Sequence, residues 1–402
     1  MSKPTPSNQK DFKIGLALGG GGPLSGIYEI GALRALDECL EGVDFNDIDV
    51  YVGVSSGALI AANLANQITT AQMCRIFIIN EPHGHPFHPQ VFFQPAFKEY
   101  GKSLLKIPSI ISKKIAHLVS RPGDQSLLEA LTGLVEALPN GVFSNEVLSH
   151  YLSVLYDGHG RTDDFRELRR KLFLVAADLD SGEAIRFGDK GYNHIPISKA
   201  VQASVACPGF YTPVEIDGRY FADGTLLKAM HASVALEEGA DLVIGINPLV
   251  PIDSEAASEC GSIESKQSLR ESGLAAILGQ TLRTFIHSRV ELGMSAYEEQ
   301  YPSSDIMLIQ PRRDDATMLL SSVFSFEGRQ EVCEHAYQMT RQDLLERYDD
   351  LAPVFERYGI KLNKAVLEDS SRSFQDKLYG TFGYSSSEQQ GVFRQLYNWI
   401  AG

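Results

Sequence analysis

The sequence predicts an α/β fold followed by a mainly helical C-terminal extension, and three observations carry that expectation. Apolar, β-branched runs short enough for strands alternate with longer helical patterns across residues 13–250. One such run meets one such helix at a Gly-x-Ser-x-Gly pentapeptide. The chain has 402 residues, 44% of them apolar, which suits one large α/β domain plus an extension, or two domains.

Residues 1–12 form a polar tail with no apolar run, so no secretory signal is expected. Residues 13–18 (KIGLAL) read as a strand that runs into Gly19, Gly20, Gly21 and Gly22. Pro23-Leu24-Ser25-Gly26 follows, then a helix from about 27 to 40 with Ile30, Leu33, Ala35, Leu36 and Leu40 largely on one face. Four consecutive glycines are entropically costly. Their bare amides can approach a ligand oxygen, either a phosphate or an oxyanion. Spacing excludes the phosphate loops: no Gly-x-Gly-x-x-Gly can be drawn, and Gly21–Gly26 is followed by Ile27-Tyr28 in place of Lys-Ser/Thr.

Residues 49–65 (DVYVGVSSGALIAANLA) explain which oxyanion is meant. Val50, Tyr51 and Val52 read as a buried strand, and 58–65 as a buried helix without Gly or Pro. Between them Gly53-Val54-Ser55-Ser56-Gly57 has the context of a nucleophile elbow. Gly53 and Gly57 remove Cβ atoms that a sharp turn would bring into collision. Ser55 is then left at the tip, near the positive end of the following helix. A Gly/Ser turn that merely joins strand to helix would carry the same residues. An oxyanion hole at Gly20, Gly21 and Gly22, beside a nucleophile at the end of the next strand, is the functional reading.

A long irregular insertion occupies about 80–140. His83, His85 and His88 stand among prolines with neither thiolates nor a helical i, i+4 pair, so no metal site is expected. Residues 98–121 carry six basic residues and one acid, with Ile107, Ile111, Ile115 and Leu118 on one helical face. This stretch reads as a core-packed helix with a solvated basic side, or as a lid that touches a membrane surface.

Regular α/β patterning resumes afterwards. Residues 144–155 read as a helix capped by Ser144, 172–177 as a buried strand, 184–187 as its return, and 197–206 as a short helix. A hairpin turns at Asp217-Gly218. A second Asp-Gly, Asp223-Gly224-Thr225, ends a strand and precedes a helix over 228–238, so Asp223 is either a cap or a functional carboxylate. Residues 242–246 close the sheet in this reading. Beyond 250 come a polar linker (253–268), a long helix (269–297), one strand (306–309) and helices at 328–348 and 387–400. A hydrolase triad would need a late His in a turn after a strand. His231, His287 and His335 do not meet that description.

The net charge of −15 argues against nucleic acid as a partner. Five scattered cysteines without metal spacing read as reduced thiols of a cytoplasmic protein. No run of 18 apolar residues is available to span a bilayer.

Residues 13–228 resemble the patatin-like phospholipase family of serine acyl hydrolases. The glycine loop at 19–26, the pentapeptide around Ser55 and Asp223-Gly224-Thr225 occur in the family's order, and residues 203–225 (ASVACPGFYTPVEIDGRYFADGT) are especially similar. The resemblance implies a three-layer fold with a mostly parallel central sheet between helices. It also implies a Ser–Asp dyad without His: Ser55 as nucleophile, Asp223 as base, and Gly53, Gly57 and Gly224 as motif glycines. Its implied substrate is a phospholipid or other acyl-ester lipid, with no cofactor, and any peripheral membrane contact is expected through 98–121. Two departures are evident. The family's basic residue in the glycine loop is replaced by Pro-Leu-Ser, and the third motif ends in Thr225 where Gly or Ala is usual. The alternative is a non-catalytic binding or effector protein whose altered loop no longer forms the hole.

Overall fold

The computed structural model describes residues 12–79, 94–95, 141–251, 253, 273–315 and 328–378. Histidines 83, 85 and 88, the basic stretch 98–121 and the helix expected at 387–400 lie outside the described residues.

The chain begins with β1 (Ile14–Leu18), α1 (Pro23–Cys39), β2 (Leu40–Glu41), β3 (Val50–Val54) and α2 (Ser56–Ala65). It continues through α3 (Glu146–Tyr156), β4 (Lys171–Asp178), β5 (Ala184–Phe187), α4 (Ile197–Ser204), β6 (Val214–Ile216) and β7 (Arg219–Asp223). Next come α5 (Ala232–Glu237), β8 (Leu242–Ile246), α6 (Gly273–Gln300), β9 (Asp305–Ile309), α7 (Arg329–Glu346), α8 (Tyr348–Arg357) and β10 (Lys361–Leu362).

An eight-stranded sheet takes the order β9-β8-β1-β3-β4-β7-β6, with β5 paired to β4 off this path. The first five of these strands are parallel, and β7, β6 and β5 are antiparallel additions. The expected α/β fold with a mostly parallel sheet is therefore present. Parallel strands buried on both faces read as continuous apolar runs, and β3 and β8 are buried at every position.

Three expectations need correction. Leu242–Ile246 does not close the sheet, because β9 pairs alongside it in parallel from Asp305 to Ile309. Helix α1 starts at Pro23, four residues early: a proline's fixed φ and missing amide suit the first helical position. Nor does α1 bury one face only. Every residue from Leu24 to Leu36 is buried, because α7 as well as α2 packs along the helix. The described part of 251–402 thus shares the core of the first 250 residues, with Val332, Cys333, Ala336, Tyr337 and Leu344 in the same apolar cluster as α1 and α2.

Candidate active site

Ser55 occupies the turn between β3 and α2. Its backbone lies at φ 55°, ψ −123°, a region costly for any residue with a Cβ. Close packing holds it there. A Cβ on Gly53 would sit 2.5 Å from the Gly57 carbonyl oxygen, and one on Gly57 would sit 2.4 Å from that of Gly19. The Gly57 amide donates to the same Gly19 carbonyl at 3.0 Å, so the glycine loop and the elbow are locked together. The Ser55 amide donates to Ser204 Oγ at 2.8 Å, and Ser204 Oγ donates to the Val175 carbonyl at 2.6 Å. Ser204 is fully buried, and sequence reasoning missed it. A serine at the end of a short helix carries no pattern that distinguishes it.

Register brings Asp223 to Ser55. Val54 pairs with Val175 of β4, which puts Ser55 level with Ala176, and Asp223 pairs with Ala176 from the other side. Strand β7 runs antiparallel, so Asp223 reaches the site while heading into the sheet. Ser55 Oγ donates to Asp223 Oδ2 at 2.6 Å, and the Thr225 amide donates to Oδ1 at 2.9 Å. Both side chains are buried. Burial pushes the Asp223 carboxyl above the ordinary carboxylate range, opposed by the hydrogen bonds from Ser55 and Thr225. Gly224 is needed because a Cβ there would lie 2.5 Å from the Val175 carbonyl oxygen.

The glycine loop differs in one respect from expectation. The Gly20 amide, read as one of three donors, is bonded to the Ala229 carbonyl at 3.1 Å. The Gly19 amide likewise extends the sheet to Ile246 O at 2.9 Å. Among the described residues, the amides of Gly21 and Gly22 make no hydrogen bond. These two residues sit at φ 147° and 82°, where a side chain is strained, and Gly22 caps α1. The helix expected over 228–238 is shorter than the sequence predicts. It spans Ala232–Glu237, and ahead of it the carbonyls of Leu226 and Leu227 accept from Arg289 Nη1 and that of Ala229 from the Gly20 amide.

No histidine hydrogen-bonds Ser55 or Asp223 among the described residues. His231 is buried, and desolvation pushes its imidazole down to about 3. His287 pairs with Glu291 at 3.2 Å, and His335 with Asp315 at 2.7 Å. Among the described residues no cluster of His, Cys, Asp or Glu could hold a metal ion, and no helix is long and apolar enough to cross a membrane. Cys39, Cys74, Cys207 and Cys333 are free thiols.

These features define an α/β protein with a strained serine turn facing a buried aspartate. Residues 16–236, just over half of the chain, match the model of the patatin-like phospholipases, and the chain belongs to that family of lipid acyl hydrolases. It is also similar to NTE family proteins of Mycobacterium bovis and Mycobacterium tuberculosis, 37% identical over 73 residues. That match spans 18% of this chain and 19% of each relative. Among solved structures, VipD from Legionella pneumophila aligns at a TM-score of 0.39 and 16% identity, over 83% of this chain and 66% of that one. Human GIVD cytosolic phospholipase A2, solved with methyl gamma-linolenyl fluorophosphonate, aligns at 0.27 and 13% identity, over 60% and 40%.

Proposed function

We propose that this chain hydrolyses the carboxylic esters of phospholipids or related acyl lipids through Ser55 and Asp223. The observation that carries the reading is the 2.6 Å hydrogen bond from Ser55 Oγ to Asp223 Oδ2, made without an intervening histidine. As Oγ attacks the ester carbonyl carbon, its proton passes to Oδ2. A carboxylate whose proton affinity is raised by burial is better matched to that task than an exposed one. The carbonyl oxygen becomes an oxyanion, and the amides of Gly21 and Gly22 and the N-terminus of α2 are its donors. Collapse expels the alcohol, which takes the proton from Asp223 and leaves an acyl-Ser55. Water then gives Asp223 a proton, attacks the acyl carbon, and releases the fatty acid as Ser55 recovers its own proton.

Family membership supports lipid as the substrate class, and the scattered cysteines without metal spacing support the cytoplasm as its compartment. Peripheral docking through 98–121 rests on sequence alone. Changing Lys106, Lys113 and Lys114 to Glu should weaken binding to anionic vesicles and leave a water-soluble ester nearly as good a substrate as before. The decisive experiment exposes the wild type and Ser55→Ala to a fluorophosphonate and then to mixed phospholipid vesicles, with lipid products read by mass spectrometry. Labelling and fatty-acid release confined to the wild type support the hydrolase. Equal labelling of the two, or no release from any lipid, overturns it in favour of a binding protein.

A further inference from the structure

The strongest signal that the reaction scheme leaves unused is the hydroxyl of Thr225. Thr225 is more than nine-tenths buried, yet its Oγ1 has no hydrogen-bond partner. An orphaned buried hydroxyl is unusual, because its desolvation goes uncompensated. It stands among the reacting groups. A Cβ placed on Gly20 would come within 2.1 Å of Thr225 Oγ1 and 2.7 Å of Ser55 Cβ, so the glycine loop, the hydroxyl and the Ser55 side chain converge on one point. The hydroxyl also lies near enough to the Asp223 carboxylate to favour its charged form, without reaching hydrogen-bonding geometry in the resting site.

The neighbouring backbone shows what is missing there. The Gly20 amide is turned away to Ala229, and Pro23 has no amide to offer, so the loop's donors are Gly21 and Gly22. We propose that the Thr225 hydroxyl is a third oxyanion donor, a side-chain group that supplements the backbone amides beside Ser55. Resting on the hydrolase reading above, this makes Thr225 a catalytic residue of the same site. In the ester complex the hydroxyl rotates from its unpartnered position to donate to the developing oxyanion. The interaction is absent before attack and present in both tetrahedral intermediates. A donor used only in the transition state raises kcat and leaves KM nearly alone.

A purely structural threonine makes the opposite forecast. Thr225→Val keeps the shape and removes a hydroxyl that has no partner, so it should leave the fold as stable or more so. Under the proposal the same variant loses kcat by roughly 10²-fold, the size seen when one oxyanion donor is deleted. Thr225→Ser should recover most of that loss, since it restores the hydroxyl.

The test follows p-nitrophenyl ester hydrolysis by wild type, Thr225→Val and Thr225→Ser, with burst kinetics to separate acylation from deacylation and a melting curve for each. The proposal expects acylation and deacylation to slow together in the valine variant, with KM within about twofold, an undiminished melting temperature and rescue by serine. An unchanged kcat in an active wild-type background overturns it while the hydrolase reading stands. Slowing of deacylation alone also overturns it, since the hydroxyl then serves the attacking water. A wild type no more active than Ser55→Ala defeats the hydrolase reading and this proposal with it.

Discussion

The amide of Gly20 donates to the carbonyl of Ala229 at 3.1 Å, across 209 positions of sequence. This bond turns the Gly20 amide away from Ser55 and sets the Gly20 Cα against Thr225. Gly20→Ala should therefore act sterically: its Cβ would stand 2.1 Å from Thr225 Oγ1 and 2.7 Å from Ser55 Cβ. We expect near-complete loss of ester hydrolysis and a loss of stability of about 1–3 kcal/mol, typical of forced overpacking. Gly26→Ala is the contrast, since its Cβ would meet only Ser56 Cβ, at 3.4 Å, inside a helix. That variant should melt at the same temperature or higher, with a helix-propensity gain of up to about 1 kcal/mol. Equal damage from the two substitutions would refute this account of the loop.

Asp223 couples activity and stability to pH in opposite senses. Its folded pKa is raised by burial, so the folded state holds its proton more tightly than the unfolded chain. The stability it contributes is full below the ordinary carboxylate pKa of about 3.9 and is lost as pH rises through the raised value. Asp223→Asn does not titrate. It should be more stable than the wild type at neutral pH, with the gap closing in acid, and its kcat should fall by a factor on the order of 10⁴. Wild-type kcat/KM on a soluble ester should rise with pH along an acid limb whose midpoint lies above about 3.9. Paired melting curves and pH–rate profiles check both halves. An acid limb at the ordinary value would remove burial as the tuning force.

Glu29 supplies a second pH-linked test outside the chemistry. It is fully buried on α1, neither carboxylate oxygen makes a well-formed hydrogen bond, and burial pushes its pKa well above the ordinary value, opposed by the nearby Gly19 amide. Glu29→Gln removes the chance of ionisation at constant shape. The raised folded pKa means that any gain in melting temperature should be absent in acid and grow as pH rises. A gain that shrinks towards alkaline pH would show that the carboxylate has a cationic partner in solution.

Histidine should be dispensable for the proton transfer. Burial pushes the His231 imidazole down to about 3, which leaves a weakly basic neutral ring, and His287 and His335 are paired with Glu291 and Asp315. Changed singly to Ala, each should keep kcat within about tenfold of wild type, short of the 10²–10⁴ that a lost general base costs. A histidine variant as inactive as Asp223→Asn would replace the dyad with a triad.

How legible these features were depends on the range of the interactions behind them. Gly53 could be read from local pattern, because it answers a clash with Gly57 and Ala58 in its own turn, whereas Gly57 and Gly224 were legible only as motif glycines, their clashes being with the distant Gly19 and Val175 carbonyls. Asp217-Gly218 was legible from local pattern too, and both residues have the positive φ of the expected turn. Ser204, the Gly20–Ala229 bond and the antiparallel approach of Asp223 were not, because each depends on register between segments far apart in sequence. The second buried face of α1 escaped because Gly31, where α7 approaches, carries no apolar side chain to mark that face.

That approach leads to a prediction about how the chain divides. A Cβ on Gly31 would lie 2.4 Å from the Cys333 carbonyl oxygen and 2.9 Å from Ala336 Cβ, so α1 and α7 touch backbone to backbone. The bond from Arg34 Nη2 to the Asp376 carbonyl, at 2.8 Å, ties the same helix to the segment beyond α8. Strand β10 pairs with β2, and β9 protects the edge of β8. A fragment ending at residue 250 would expose one side of α1 and a parallel sheet edge, both built for burial. It should be insoluble or melt without a cooperative transition, whereas the full chain melts as one unit. Gly31→Ala, which pushes α7 away without removing it, should lower stability by about 1–3 kcal/mol and leave the Ser55–Asp223 bond intact. A soluble, active 1–250 fragment would show instead that the C-terminal segment is an accessory to an independently folding domain.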